Sequence, residues 1–153
     1  MGILRRVSWF VAVLVCSASL LGAEPSRVNP RLKTIKRLHV GNTGVKEEGG
    51  EEVRKKLIAR IASSGRFTYV DSLDHADADV LGSAGYKTSY KNGQRFVTGY
   101  ATLTLLDLKT QEHIWAFEYQ KGQSGAKKAS DRVADQFLSK LLADAKAAAS
   151  SSD

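Results

Sequence analysis

The sequence is poor in the residues that build disulfide frameworks, thiolate metal sites and membrane spans. Its 153 residues include one cysteine, Cys16, so one chain cannot close a disulfide. Both prolines, Pro25 and Pro30, lie near the N-terminus. The apolar run at residues 7–15 is interrupted by Ser8 and is shorter than the roughly 20 residues that a membrane helix needs. These shortages exclude a disulfide scaffold and argue against a membrane-spanning helix.

Motifs for catalysis or phosphate binding are also missing. The glycine-containing loop at residues 41–50 has neither a Gly-Lys-Ser/Thr triplet nor G-x-G-x-x-G. No G-x-S-x-G elbow surrounds Ser83 or Ser89, and His113 stands alone in its segment. We therefore expect no enzyme and no cofactor. A small hydrolase using Ser83 or Ser89 with His113 ranks third among the functions considered.

An acidic stretch at residues 72–79, SLDHADAD, resembles a metal site only superficially. Asp74, His75, Asp77 and Asp79 do not complete the calcium loop D-x-D-x-D-G, and its distal bidentate glutamate is absent. Carboxylate-rich turns commonly cap backbone groups and face water. We predict no metal site.

The N-terminus has the pattern of a secretory signal peptide over residues 1–23. Arg5 and Arg6 precede the apolar run, and a segment of small residues and leucines follows, with cleavage after Ala18 or Ala23. A lipoprotein would instead be cut just before Cys16, but Val15 is larger than the residue usual at that position. Export to the periplasm or the cell exterior is expected either way, with membrane anchoring through Cys16 as the alternative to a discarded signal.

The rest of the chain is expected to form a single domain. Residues 24–32 are predicted to be a linker, residues 33–147 the domain, and residues 148–153 a disordered tail. Without residues 1–23 the chain keeps 21 basic and 16 acidic side chains, a net charge of +5. This excess suits an anionic lipid or cell-wall polymer, whereas an exported protein seldom meets nucleic acid. A positive charge that only keeps the protein soluble is the simpler interpretation.

The middle of the sequence predicts an antiparallel meander. Strand-like runs at residues 80–90, 95–107 and 112–120 are separated by Asn92-Gly93, a signal for a type I′ hairpin, and by a polar turn at residues 107–111. Before them come a strand at residues 33–41, a helix at 51–64 and a strand at 67–71. A final helix begins near Ser130, the expected N-cap. The order predicts an α/β sandwich, one mixed sheet with two helices packed on it.

Two groups of residues are candidates for binding. Four basic residues within two turns of the first helix form a candidate patch for an anionic partner: Arg54, Lys55, Lys56 and Arg60. Three aromatics share one face of the last strand: Trp115, Phe117 and Tyr119. A solvated helix face is the simpler explanation of the first group, and core packing of the second, although the aromatics could also stack on a ligand.

Three segments carry a resemblance to a known group of domains. They are residues 57–71 (LIARIASSGRFTYVD), 76–86 (ADADVLGSAGY) and 101–115 (ATLTLLDLKTQEHIW). This pattern resembles the exported α/β domains shared by the curli secretion protein CsgG, the LpoB-like activators of penicillin-binding proteins and the TolB N-terminal domain. The resemblance implies an envelope accessory protein without enzymatic activity. It transfers no functional residue, and the chain lacks the membrane-spanning hairpin insertion of the secretion channel.

From these features we expect a non-enzymatic binding or adaptor module of a bacterial cell envelope that docks on another envelope protein. The alternative is a structural subunit that associates with itself through an exposed sheet edge.

Overall fold

The computed structural model describes residues 28–44 and 46–151. The predicted signal peptide, both cleavage sites and Cys16 lie outside the described residues. The described chain forms a five-stranded mixed sheet in the order β2-β1-β3-β4-β5. Its strands are β1 (Arg37–Val40), β2 (Thr68–Tyr69), β3 (Ala78–Lys91), β4 (Gln94–Asp107) and β5 (Glu112–Gln123), and its helices are α1 (Gly50–Ala62) and α2 (Ala126–Ser150). The predicted α/β sandwich is confirmed.

The first half of the domain is parallel and the second half antiparallel. Strand β1 pairs in parallel with β2 on one side and with β3 on the other. Strands β3, β4 and β5 form the predicted meander. Asn92 and Gly93 have φ values of 52° and 74°, the left-handed conformation that a type I′ turn needs at both positions. The hairpin prediction is therefore confirmed.

The segment before β1 differs from the expected linker. Pro30–Lys33 forms a short 3-10 helix, in which proline suits the first turn and the side chain of Asn29 accepts a hydrogen bond from the Arg31 amide. Leu32 is fully buried in the core. Val28 and Asn29 line a surface cleft together with Trp115 and Asp144. Residues 28–32 therefore belong to the domain, because burial of Leu32 fixes a segment that looks like a linker in sequence.

Helix α2 begins earlier and ends later than predicted. It starts after Gly125, so Ser130 is an interior residue, fully buried, whose hydroxyl donates to the Ala126 carbonyl oxygen. The expected N-cap at Ser130 is wrong. At the other end Ala148 is buried in the core, so residues 148–150 are helical instead of belonging to a tail.

The core lies between the helices and one face of the sheet. Alternate residues of β4 point into it, and Phe137 of α2 packs edge-on against the rings of Trp115 and Phe117, with centroids 5.4 and 5.6 Å away. Helix α2 starts beside Gly99, where a Cβ would lie 3.2 Å from the carbonyl oxygen of Ala129, and it reaches Asp144 near the beginning of β5. It therefore runs along the sheet away from the β3–β4 turn.

A β-bulge alters the expected faces of β5. Leu105 pairs with Trp115 and Leu106 with His113, which leaves Ile114 as the extra residue. Ile114 and Trp115 are consecutive, yet both are buried. A strictly alternating strand would place Ile114 on the face opposite Trp115, but the bulge breaks the alternation and lets both side chains enter the core.

Candidate functional site

The four residues of the candidate anionic patch lie on α1, but they do not form an open cationic surface. Arg54 turns back and donates to the carbonyl oxygens of Gly41 and Val40, both at 3.1 Å. Lys55 is exposed and lies 3.9 Å from Glu51. Lys56 and Arg60 face α2 and form ion pairs with carboxylates of that helix. The patch is thus divided among three different environments.

Lys56 and Arg60 join α1 to α2 through ion pairs. Lys56 Nζ lies 2.7 Å from Asp131 Oδ1, and Arg60 Nε donates to Asp135 Oδ1 at 2.6 Å. The hydrogen bond from Lys56 lowers the pKa of Asp131 against the opposing effect of burial, and the hydrogen bond to Asp135 raises the pKa of Arg60. These cations already have partners within the fold, so binding of an anion by this patch remains a prediction that the geometry does not favour.

The aromatic face of β5 forms part of the core. Trp115 and Phe117 are buried, with ring centroids 6.0 Å apart, and Phe137 covers both rings. Tyr119 continues the row at 6.3 Å from Phe117 and is half-buried. The indole Nε1 of Trp115 donates to Asp144 Oδ2 at 2.8 Å. The packing matches the core interpretation, and Tyr119 is the most exposed of the three aromatics.

Carboxylates of the acidic stretch at residues 72–79 contact β1 and the residue before it through hydrogen bonds. Asp77 accepts from the backbone amides of Lys36 and Arg37 and from the Arg37 guanidinium. Burial alone would raise the pKa of Asp77, but these hydrogen bonds outweigh it and hold the pKa below its usual value. Asp79 Oδ1 lies 2.8 Å from Nδ1 of His39, within hydrogen-bond distance. Within residues 28–44 and 46–151 there is no group of three side chains placed to hold a metal ion.

The proposed hydrolase residues do not come together. His113 Nδ1 lies 3.1 Å from the hydroxyl of Thr104, and Ser83 lies on β3 opposite Thr102. Ser89 lies near the β3–β4 turn, paired with Phe96. The arrangement provides no serine with a histidine base beside it, so a serine-histidine mechanism has no support in these residues.

A shallow cleft of about 300 Å³ opens where β1 ends. It is lined by His39, Gly41, Glu51 and Arg54, at the carboxyl end of a parallel strand, where α/β proteins often bind ligands. Both Arg54 and His39 are already engaged by partners inside the fold, Arg54 by two carbonyl groups and His39 by Asp79. The side chains that line the cleft therefore connect α1 to the end of β1, and they are not left free to bind a ligand.

Two surfaces outside the candidate groups remain open. The first is the outer edge of β5, a strand of 12 residues that ends the sheet. The second is the β3–β4 hairpin beyond the end of β5, where Tyr90 and Phe96 are 73% and 44% exposed. Thr102 and Glu118 are paired and exposed on the face of the sheet that lies between these two surfaces. Both helices pack on the opposite face. The sequence did contain one signal for the second surface, since residues 80–106 include no acidic residue.

The sequence matches no family model and no curated protein. Solved structures do match the fold. A PelC dodecamer from Paraburkholderia phytofirmans is 14% identical, with a TM-score of 0.56 over 69% of this chain and 86% of that one. The hypothetical protein CT253 from Chlamydia trachomatis is 10% identical, with a TM-score of 0.50 over 71% of this chain and 94% of that one.

A further neighbour is a “putative lipoprotein” from Caulobacter crescentus, 14% identical, with a TM-score of 0.50 over 82% of this chain and 98% of that one. Identities this low establish the fold alone. The matched structures agree with the fold that the sequence resemblance implied. Membership of the CsgG, LpoB and TolB group itself stays a prediction. In the described part of the chain, neither helix has the length and apolar character to cross a bilayer.

Proposed function

We propose that the protein is an exported, non-enzymatic binding module of a bacterial cell envelope that docks on another envelope protein through the outer edge of β5. The observation that carries the proposal is the position of β5 at the end of the sheet, with no strand beyond it in the described residues. The N-terminal signal pattern supports export, and the bacterial proteins that share the fold fit the same setting.

The edge has the chemistry for adding a strand. An unpaired edge presents a row of backbone N–H and C=O groups to solvent, and an extended segment of a partner can pair with them. The exposed side chains of β5 beside that edge include Ala116, Glu118 and Gln120, and the strand contains no proline. Ala116 leaves room for an incoming strand, and Glu118 adds the only charge at the centre of the strand. The partner would therefore carry an extended segment with a basic or polar residue opposite Glu118.

Self-assembly is the second candidate, and it uses the same edge. The neighbour PelC forms a dodecamer, so the fold is compatible with an assembly of many identical subunits. A second copy of this chain could pair its own β5 with the first, or pack another surface against it. The two candidates differ in what the β5 edge contacts, and this difference can be measured directly.

Site-specific crosslinking in cells tests the proposal. A photo-crosslinking residue replaces Gln120 on β5, and a matched variant carries it at Arg132, which is exposed on α2. Docking on another protein predicts one heterologous product from position 120 and none from position 132. Self-assembly predicts products at multiples of the chain's own mass, from position 120 again. No product, or the same product from both positions, would contradict an interface at the β5 edge.

A charge at the edge provides an independent test. Ala116→Lys places a long cationic side chain beside the β5 edge, and lysine is a common protection of edge strands against pairing. We expect it to abolish the crosslink from position 120. Ala149→Lys, an exposed position near the end of α2, should leave the crosslink intact. Circular dichroism of both variants verifies that the fold is unchanged.

A further inference from the structure

The β3–β4 hairpin extends beyond the rest of the sheet. Strand β5 follows β4 only as far as Val97, which pairs with Gln123. Beyond that point residues 89–96, which we call the distal hairpin, pair only with one another. Three residue pairs lie between Val97 and the turn, so the free ribbon projects by about 10 Å at roughly 3.4 Å per residue.

Each face of the distal hairpin carries an exposed aromatic side chain. Paired residues share a face, so Tyr90 lies with Arg95 on one face and Phe96 lies with Ser89 on the other. Tyr90 is 73% and Phe96 44% exposed. Among the described residues, the exposed large apolar side chains are Leu73, Tyr90 and Phe96, and the last two lie on this hairpin. Two exposed aromatics on opposite faces of a short ribbon therefore call for a partner that can reach both faces.

The surroundings of the distal hairpin are cationic. Lys91 and Arg95 are exposed on it, and Lys121, Lys127 and Lys128 are exposed at the same end of the sheet, since β5 ends and α2 begins there. The sequence contains no Asp or Glu between Asp79 and Asp107, nor between Glu118 and Asp131.

Two carboxylates of the loop before α1 approach the base of the hairpin. Glu48 accepts from the Thr88 hydroxyl at 2.8 Å, and Glu47 accepts from the Tyr100 hydroxyl at 2.8 Å. These hydrogen bonds hold both glutamates at the base of the hairpin. Lys91 and Arg95 lie farther out, nearer the turn. The end of the hairpin thus presents positive charge and aromatic rings together.

We propose that the distal hairpin is a membrane-contact site that inserts end-on into the headgroup layer of an anionic phospholipid bilayer. Aromatic rings favour the boundary between headgroups and acyl chains, and basic residues are drawn to anionic headgroups. A flat protein surface or a single polymer chain would contact one face of the ribbon, whereas the headgroup layer of a bilayer surrounds both faces. The projecting length of about 10 Å also matches the depth of roughly 5–10 Å that interfacial segments reach.

A probe at the turn reports on the distal hairpin without interference from any other membrane contact of the chain. The full chain carries Gln94→Cys in a Cys16→Ser background, labelled with an environment-sensitive fluorophore. The vesicles contain phosphatidylglycerol and phosphatidylethanolamine with brominated acyl chains, which quench a fluorophore that enters the interface. The matched control places the label at Lys109→Cys, in the exposed turn between β4 and β5 at the opposite end of the meander.

The proposal predicts quenching at position 94 and none at position 109, and it predicts that vesicles of phosphatidylcholine alone, with the same brominated acyl chains, give much weaker quenching. Replacing Tyr90 and Phe96 with serine should abolish the quenching. Lys91→Gln with Arg95→Gln should raise the lipid concentration for half-maximal quenching by about 25-fold, because each basic residue near such a surface contributes about a fivefold effect. Leu73→Ser, an exposed apolar position outside this surface, should change nothing.

Several results would overturn the proposal. Equal quenching at positions 94 and 109 would place the contact elsewhere. Quenching that is indifferent to the aromatic and basic substitutions would show that the distal hairpin does not drive it. A fluorophore at position 94 that ignores vesicles but responds to dextran sulfate would identify a polyanionic polymer, and not a bilayer, as the ligand.

Discussion

Lys56 of α1 and Asp131 of α2 form an ion pair of 2.7 Å across the helix layer. Arg60 approaches the same carboxylate at 3.8 Å and bonds to Asp135 as well. The pair joins residues 75 positions apart in the sequence, and it turns what resembles a cationic patch into a joint between the two helices. Both side chains keep 30% of their surface exposed, so water and salt still weaken the attraction.

Removing the carboxylate should weaken the domain modestly. We expect Asp131→Asn to lower the free energy of unfolding by about 0.5–1 kcal/mol, as is typical of partly exposed pairs. A double-mutant cycle with Lys56→Gln, followed by urea denaturation, measures the coupling between the two residues. Asp74→Asn, at an exposed site, is the control. A coupling energy indistinguishable from zero would contradict the assignment of the pair as a joint.

Phe137 should be the most sensitive position of the helix layer. It is fully buried and packs edge-on against both Trp115 and Phe117. Phe137→Ala leaves a cavity between α2 and β5, so we expect a loss of about 3–5 kcal/mol in unfolding free energy. Phe96→Ala, which truncates an exposed ring, should cost less than about 1 kcal/mol. Similar urea midpoints for the two variants would show that α2 does not pack as described.

Gly82 lies in β3 with a φ of 129°, a conformation that disfavours any side chain. A Cβ at this position would collide with the carbonyl oxygen of Thr102 on the neighbouring strand. Gly82→Ala should therefore destabilise the domain by about 2–4 kcal/mol through strain and overpacking. Gly122→Ala, where a Cβ meets open space, should change stability by less than about 0.5 kcal/mol. Thermal melts of both variants provide the comparison, and equal midpoints would argue against the strained geometry.

Asp77 should make stability depend on pH in the acidic range. Its pKa in the folded protein is below the usual value, so its contribution is fully present above the pKa of the unfolded chain, near 4. That contribution is lost as the pH falls through the lower folded pKa. Asp77→Asn should therefore lower the free energy of unfolding at pH 7. Near pH 3 the difference in unfolding free energy between this variant and the unaltered chain should be smaller. Urea titrations at both pH values test this, and a difference independent of pH would refute it.

Local chemistry made the meander predictable. Asn92 and Gly93 specify their turn, and the alternating residues of β4 specify its buried face, because neighbours in sequence determine both features. The N-terminus of α2 was harder to predict. Glycines such as Gly122 and Gly125 are typical of loops, and Ser130 has the chemistry of a cap, but Gly125 is extended and the helix starts directly after it. Ser130 lies in the interior of the helix because the packing of α2 on the sheet determines where the helix begins.

The candidate sites depended on distant residues, which explains why the sequence predicted them less well. The partners of Lys56 and Arg60 lie on α2, so no local pattern could indicate their neutralisation. Leu32 likewise gains its role only from burial under the folded chain. The distal hairpin is the opposite case. Its aromatics, its basic residues and the absence of acids between Asp79 and Asp107 are all visible in sequence, but only the structure places them beyond the end of β5.

The direction of α2 determines where the two ends of the described chain lie relative to the distal hairpin. Val28 lies beside Trp115 and Asp144, and Ser150 ends a helix that runs away from the β3–β4 turn. Both ends of the described chain therefore leave the domain opposite the distal hairpin. The 25 residues of α2 span about 37 Å at 1.5 Å per residue. A protein tethered by either end to one surface would act as a spacer, with its hairpin directed at whatever lies across that gap.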